Sequence, residues 1–388
     1  MVGLLLAGVA ATPAHAETIR EKQWHLTAMK ADDIWRVSTG KGVTVAVIDS
    51  GVERIPELEG QVLPGKDFAT SGYEGDERTD YDNHGTTMAA IIAGSGKHPS
   101  GDGAFGLAPG AKILPIRVPH EDDVMSPSWT AAIRYAADSD AKIINISMAS
   151  PEEDPARLAA VKYALSKDKL IFAGVGNHGA STNEVLYPAA TPGVVGVGAV
   201  DPGGAVTAES QHGPQVDISA PGIEIFTACA GGTGVCRNHG TSDATALTSA
   251  SAALLWSAHP DWTNNQVLRV LLNTAGKPKD GAKRNDWIGY GVVRPKIALP
   301  TPGDPGPADV FPLPDLAAAE AAKSPSPSAD AEAPESGKLA PAPQAEEEKG
   351  GGNLPWVALG LGACVVVGGA VGAVVRRRGR DEAKAAQG

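Results

Sequence analysis

Runs of consecutive aliphatic and β-branched residues alternate along this chain with segments that read as helices. The first run, Val43-Thr44-Val45-Ala46-Val47-Ile48, is apolar at nearly every position and stops at Asp49-Ser50-Gly51. Such a run predicts a parallel strand covered on both faces rather than a half-exposed one. Further strands are expected at Lys112 to Val118, Lys142 to Ser147, Leu170 to Asn177, Val194 to Val200 and Val216 to Gly222. Between them lie a helix opened by His84 and continued by Met88 to Gly94, and two more at Ser128 to Ala137 and Ala156 to Ser166. Asn264 to Asn273 is an amphipathic helix, and Gly289-Tyr290-Gly291 closes the domain near Leu299. Ser242 precedes Ala244, Ala246, Ala250, Ala252, Ala253, Leu254 and Leu255, a density of small residues suited to a helix in the middle of a domain. Strands alternating with helices over this length indicate an α/β fold with a mostly parallel sheet.

Two segments stand outside that pattern on the N-terminal side. Glu17 to Lys41 is a short polar lead with Trp24 and Trp35, too short for a domain of its own, and Tyr73 to Asp82 is an acidic loop. On the C-terminal side, Pro300 to Asn353 is rich in Pro, Ala, Ser and Glu and poor in large apolar residues, which predicts an extended tether that does not fold. Leu354 to Val375 is then uncharged and apolar for 22 residues, long enough to cross a bilayer of about 30 Å. Arg376, Arg377, Arg378 and Arg380 follow, which places residues 376–388 in the cytoplasm and the bulk of the chain outside. Val2 to Ala11 is apolar and Ala14-His15-Ala16 has the form of a signal-peptidase site, so residues 1–16 read as a signal peptide; no Lys or Arg precedes the apolar run, which suggests a start codon placed too late. Both ends therefore give one topology: a single-pass protein of the cell membrane, with residues 17–299 as an extracellular domain and 300–353 as its tether.

Composition narrows the partners. A formal charge of -12 over 388 residues argues against nucleic acid. Of the three cysteines, Cys364 lies in the apolar C-terminal run. Cys229 and Cys236 lie in the outer compartment at short spacing, which favours a disulfide over two buried thiols; metal ligation needs more ligands than this pair supplies. His25, His98, His120, His212, His239 and His259 have no companion pattern and read as surface or satisfied polar residues.

The candidate chemistry lies where strands hand over to loops and helices. Asp49 ends the first strand, Asn177 follows the glycine-rich end of the strand from Leu170, His84 opens a helix, and Ser242 sits at the start of the buried one. In an open α/β sheet that carboxyl edge is where ligands bind. A serine hydroxyl becomes a nucleophile only when a base takes its proton, and His84 is the base available. Asp49 would fix the tautomer of the imidazole, and Asn177 would donate an N–H to an oxyanion beside the backbone N–H of Ser242. Asp, His and Ser in this chain order is one of three known orders for such a triad.

These motifs carry a resemblance. VAVIDSGV at Val45, NHGTTMAAIIAG at Asn83, GLAPGAKILPIRV at Gly106, IINISM at Ile143, GVGN at Gly174, APG at Ala220 and GTSDATA at Gly240 occur in the order found in subtilisin-like (subtilase) serine proteases. Signal, short lead, domain, proline-rich tether, single span and basic tail resemble more closely the mycosins, membrane-anchored subtilases associated with type VII secretion. The resemblance implies a subtilisin-like three-layer fold with one added C-terminal transmembrane helix. It also implies serine endopeptidase activity by Asp49, His84 and Ser242, and an oxyanion site at Asn177. Ser147, Met148, Ala149, Gly174 and Gly176 would form the substrate-binding backbone. The partners implied are a polypeptide substrate, the membrane and a type VII secretion machine. No cofactor is expected; structural calcium, common in the family, is not legible in these motifs.

Three departures bear on activity. Asp243 stands where a bulky apolar residue commonly follows the serine, Ala246 where Pro is usual, and Ala149-Ser150 where a glycine pair usually follows the substrate-binding strand. A carboxylate at 243 opposes oxyanion formation if it points inward and mildly stabilises the helix if it points outward. These departures keep a second expectation open, a structural component of a secretion complex with weak or no proteolysis, and a third, ester hydrolysis by the same triad.

Overall fold

Side chains alternate between two apolar layers along each central strand, which is the signature of a sheet covered on both faces. The computed structural model describes residues 17–69, 74–119 and 127–322. Three short helices, α1 (Ile19–Lys22), α2 (Trp24–Ala28) and α3 (Ala31–Ile34), precede β1 (Thr44–Asp49) and β2 (Lys66–Asp67). Then come α4 (His84–Ala93), β3 (Lys112–Arg117), α5 (Pro127–Asp138), β4 (Ile143–Ile146), α6 (Pro155–Ser166), β5 (Leu170–Gly174), β6 (Val195–Val200) and β7 (Ile218–Pro221). A hairpin of β8 (Ile225–Ala228) and β9 (Val235–Asn238) leads into α7 (Thr241–Ala258), followed by α8 (Asn264–Thr274), α9 (Pro295–Ala298) and α10 (Pro314–Ala321).

The described strands form a seven-stranded sheet in the order β2-β3-β1-β4-β5-β6-β7, with every pairing parallel. In β1, Val45 and Val47 join the apolar layer of α4, α7 and α8, whereas Ala46 and Ile48 join that of α5 and α6. Leu170 and Phe172 of β5 face the first layer and Ile171 and Ala173 the second. The expected three layers are therefore present. The connections leave β1 toward β3 on one side and β4 on the other, so the strand order reverses there and opens a crevice at the carboxyl ends of β1 and β4. Asp49 is the last residue of β1.

At the centre of the first layer, α7 runs for 18 residues and is buried along nearly its whole length. Its hydroxyls are compatible with that burial because they return to the preceding turn. Thr245 donates to Thr241 O, Thr248 to Ala244 O and Ser251 to Leu247 O, all at 2.7–2.8 Å. Cys229 and Cys236 form the expected disulfide, with Cα atoms 5.9 Å apart across the β8–β9 hairpin.

The short N-terminal lead, which is no domain of its own, packs on this one: Leu26 is fully buried, Trp35 Nε1 donates to Leu107 O, and Gln23 Nε2 donates to Phe105 O and Phe226 O. Two expectations change. His25 is neither a surface residue nor fully satisfied; it is 1 % exposed with Nδ1 lacking a hydrogen-bond partner, and burial, with nearby Arg20, pushes its imidazole down to about 3. The domain boundary near Leu299 falls short as well. Residues 300–322 are held on the domain, where Arg269 donates to Pro305 O and Pro307 O, Gln266 to Gly306 O, and Leu313 is 2 % exposed in the core. Prolines lack N–H groups but keep their carbonyls, and polar side chains of α8 satisfy those carbonyls directly.

No helix among the described residues is long and apolar enough to cross a membrane. The expected signal peptide at 1–16, most of the tether, the span at 354–375 with Cys364, and the basic tail lie outside the described residues.

Candidate active site

Gly85 sets how closely α4 approaches the end of β1. A Cβ at that position would lie 2.2 Å from Gly51 O and 3.0 Å from Asp49 Cβ, so only glycine lets the start of α4 pack against the aspartate. The turn into α4 is fixed by Asn83, whose left-handed backbone (φ 67°) is held by its own N–H to Asp80 Oδ1 and by Ala230 N donating to its side-chain oxygen. His84, the next residue, then presents Nδ1 to Asp49 Oδ1 at 2.7 Å. The same Asp49 oxygen accepts from Ser50 N at 2.8 Å, while Oδ2 is buried without a hydrogen-bond partner.

Burial opposes a charge on His84, but Asp49, Asp82 and Asp243 attract the proton more strongly, and the imidazole is raised to about 9. Behind Asp49 lies a second carboxylate that the motifs did not single out. Asp80 is 8 % exposed and accepts from Ser50 Oγ, Asn83 N and Thr86 N, tying β1, the loop and α4 together. Burial raises its carboxyl to about 6 against the pull of those donors, with the nearby Asp49 adding to the rise. No spacing rule relates residue 80 to Asp49, so only contact identifies it.

Ser242 is the second residue of α7, a position fixed by the end of β5. Asn177 Oδ1 accepts from Thr241 N at 2.9 Å and from Thr241 Oγ1 at 3.1 Å, which leaves Nδ2 as the group free to donate outward. Gly176 N donates to Thr241 Oγ1 at 3.2 Å, and its backbone is left-handed (φ 108°) with Gln211 Oε1 only 1.5 Å from where a Cβ would sit. Ser242 Oγ donates to Ser147 O at 3.1 Å, and Ser147 Oγ returns a bond to Ser242 O at 3.2 Å. A buried chain from Ser249 to Asn145 Oδ1, and from Asn145 Nδ2 to Ser147 Oγ, locks that strand end against α7.

The substrate-binding candidates are therefore gathered in one place. Ser147, Met148 and Ala149 extend β4, and Gly174 and Gly176 border the end of β5 against Thr241. Ser150 is already paired, exchanging both backbone bonds with Tyr187 at 2.8 and 2.9 Å. Of the two placements open to Asp243, the chain takes the inward one: it is 1 % exposed, and burial raises its carboxyl to about 7 against the attraction of His84 and His239.

The chain is similar to known proteins over most of this domain. The sequence model described as the Subtilase family matches residues 40–291. Subtilisin E of Bacillus subtilis is 36% identical over 241 residues, 61% of this chain and 61% of its own. The chain thus spans about three fifths of that relative's length. Mycosin-1 of Mycobacterium tuberculosis is 32% identical over 340 residues, covering 74% of each chain. A crystal structure of MycP1 from the ESX-1 type VII secretion system superposes with a TM-score of 0.65 at 29% identity, over 77% of this chain and 91% of the other.

Proposed function

Since this chain belongs to the subtilase family, we propose that it is a membrane-tethered serine endopeptidase that cleaves extracytoplasmic polypeptides beside a type VII secretion system. The observation that carries the reading is the 2.7 Å bond from His84 Nδ1 to Asp49, with Ser242 at the start of a helix whose first N–H is held by Asn177. Committing Nδ1 to Asp49 leaves Nε2 as the nitrogen that accepts the Ser242 proton, for which the hydroxyl exchanges Ser147 O for the imidazole. Oγ then attacks the scissile carbonyl, and His84 later returns the proton to the leaving amine. The oxyanion forms where Asn177 Nδ2 and the Ser242 backbone N–H converge, at the positive end of α7.

The substrate enters as an added strand along Ser147-Met148-Ala149. Because both backbone groups of Ser150 are taken by Tyr187, this edge offers only a short ladder, and the methyl of Ala149 narrows it further. Anchoring rests on the apolar, uncharged stretch at 354–375, and the secretion partner on the likeness to Mycosin-1 and to MycP1.

A fluorophosphonate probe is expected to label the full chain and to lose its target in Ser242→Ala. Labelling that survives in the variant would remove Ser242 from the role. The inward carboxylate of Asp243 favours a second reading, a scaffold of the secretion complex. Restoring secretion to a deletion strain with Ser242→Ala would select the scaffold, and failure at normal protein levels the peptidase.

A further inference from the structure

The side chain of Asn83 meets the β8–β9 hairpin at its cross-linked end. Ala230 N, next in the chain to Cys229, donates to Asn83 Oδ1 at 2.8 Å, and Asn83 Nδ2 makes a long contact of 3.9 Å with Cys236 Sγ. Both polar atoms of the amide are therefore committed to the hairpin beside its disulfide. The backbone of Asn83 is engaged elsewhere: its N–H donates to Asp80 Oδ1, and its carbonyl accepts from Thr87 Oγ1 at 2.7 Å. At φ 67° the residue occupies the left-handed region, where a side chain other than glycine is held by its surroundings rather than by its own preference. The next residue is His84, whose Nδ1 donates to Asp49 Oδ1 at 2.7 Å.

Packing fixes only one side of this hairpin. β8 contributes Ile225 and Ala228 to the core, but β9 is half-buried or exposed at every position. In the turn between them Gly231, Gly232 and Gly234 are all left-handed (φ 54–74°), and the turn is closed by Gly234 N donating to Gly231 O and Cys229 N to Gly234 O. Glycines lose the most freedom on ordering, so such a turn is loose unless something else fixes it. The disulfide does so covalently, joining the residue after the buried strand to the exposed one. A cross-link of this kind ordinarily serves its own hairpin. Here the atoms beside it are the ones that grip the residue preceding His84.

We propose that the Cys229–Cys236 hairpin is a positioning brace for His84, acting through the Asn83 side chain, and that opening the disulfide slows transfer of the Ser242 proton. The inference rests on the reading of His84 as the general base. A dithiol reductant supplies two electrons: the S–S bond breaks, Cys229 and Cys236 become thiols, and the reductant is oxidised to its own disulfide. The glycine turn then loosens, Ala230 N and Cys236 Sγ withdraw from the amide, and Asn83 keeps its left-handed turn by backbone bonds alone. A shift of about 1 Å in a reacting group costs about 10²-fold in rate, so a small displacement of the imidazole suffices. Asn83, Cys229 and Cys236 act through His84 and are positioning residues.

The test uses the full chain before and after dithiothreitol, the double variant Cys229→Ser/Cys236→Ser, and Asn83→Gly, which keeps the left-handed turn and removes both side-chain contacts. The maximal rate of fluorophosphonate labelling is expected to fall about 10–100-fold in each, with the half-saturating probe concentration nearly unchanged. The low-field NMR resonance of the His84 Nδ1 proton should shift or broaden on reduction and return on reoxidation. In Asn83→Gly, dithiothreitol should have no further effect, because the route from disulfide to imidazole is already cut. Equal labelling in oxidised and reduced chain would overturn the proposal, and so would losses that multiply when reduction is combined with Asn83→Gly. Where one form unfolds, the reduced chain or Asn83→Gly, whichever stays folded, decides by the same two readouts. If no form labels in either redox state the peptidase reading fails; a resonance displaced by reduction would then uphold the brace, and an unmoved one would overturn it.

Discussion

Asn177 serves two elements at once. Its carbonyl oxygen anchors the first turn of α7 through Thr241, and that bond commits Oδ1 and leaves Nδ2 for the proposed oxyanion role. On the proposed oxyanion role, Asn177→Leu removes a donor matched to developing charge, so kcat is expected to fall about 10²–10³-fold with KM nearly unchanged. Steady-state kinetics over a range of peptide concentrations check this; a change confined to KM would make Asn177 a ground-state contact. Asn177, Asp49 and His84 were legible in the sequence because each ends or opens an apolar run that can be counted. Asp80 was not, since a single acid in an acidic loop looks like every other acid there until Ser50, Asn83 and Thr86 are seen to converge on it. Asp243 was legible as a departure, but whether it faced in or out was not.

Among elements, the strands and long helices follow their sequence runs to within a residue or two at most ends. β1, β3 and β6 are read from β-branched and aliphatic residues buried on both faces. The β8–β9 hairpin escaped that reading because β9, Val235-Cys236-Arg237-Asn238, is half-buried or exposed throughout and carries no apolar run. The strap after Leu299 escaped for another reason. Composition averaged over Pro300 to Asn353 is that of a tether, yet Leu313 and a few carbonyls suffice to hold residues 300–322. Leu313→Ala should therefore lower stability by about 2–5 kcal/mol. Denaturant melts of the full chain read this change, and a midpoint unmoved from wild type would show that the strap contributes nothing to the fold.

At the scale of the whole molecule, buried titratable groups set opposing pH limits. His25 has its pKa lowered to about 3, so it folds in the neutral form; stability is lost as pH falls below its ordinary value of 6.5 toward 3, at about 1.4 kcal/mol per unit. His84 works in the other direction. Its pKa is raised to about 9, so its contribution is complete below 6.5 and is lost as pH rises through 9. Thermal melts across pH should show a dome between these limits, and His25→Leu should flatten its acid side. An acid limb identical in wild type and variant would assign that loss to other groups. The lead that buries His25 also ties α2 to the turn after β7, where Trp24 Nε1 donates to Ile223 O.

The sequence by itself determined the alternation of strands and helices, the order of the reactive motifs and the apolar stretches at both ends. These are local properties, written in the spacing of neighbouring residues and therefore countable along the chain. The tertiary structure alone decided which way Asp243 faces, that Asp80 underpins Asp49, that His25 is buried neutral and that the proline-rich strap packs before the tether begins. Each of those depends on groups distant in sequence meeting in space. Burial and charge are set by what surrounds a side chain, and no periodicity in the chain records that.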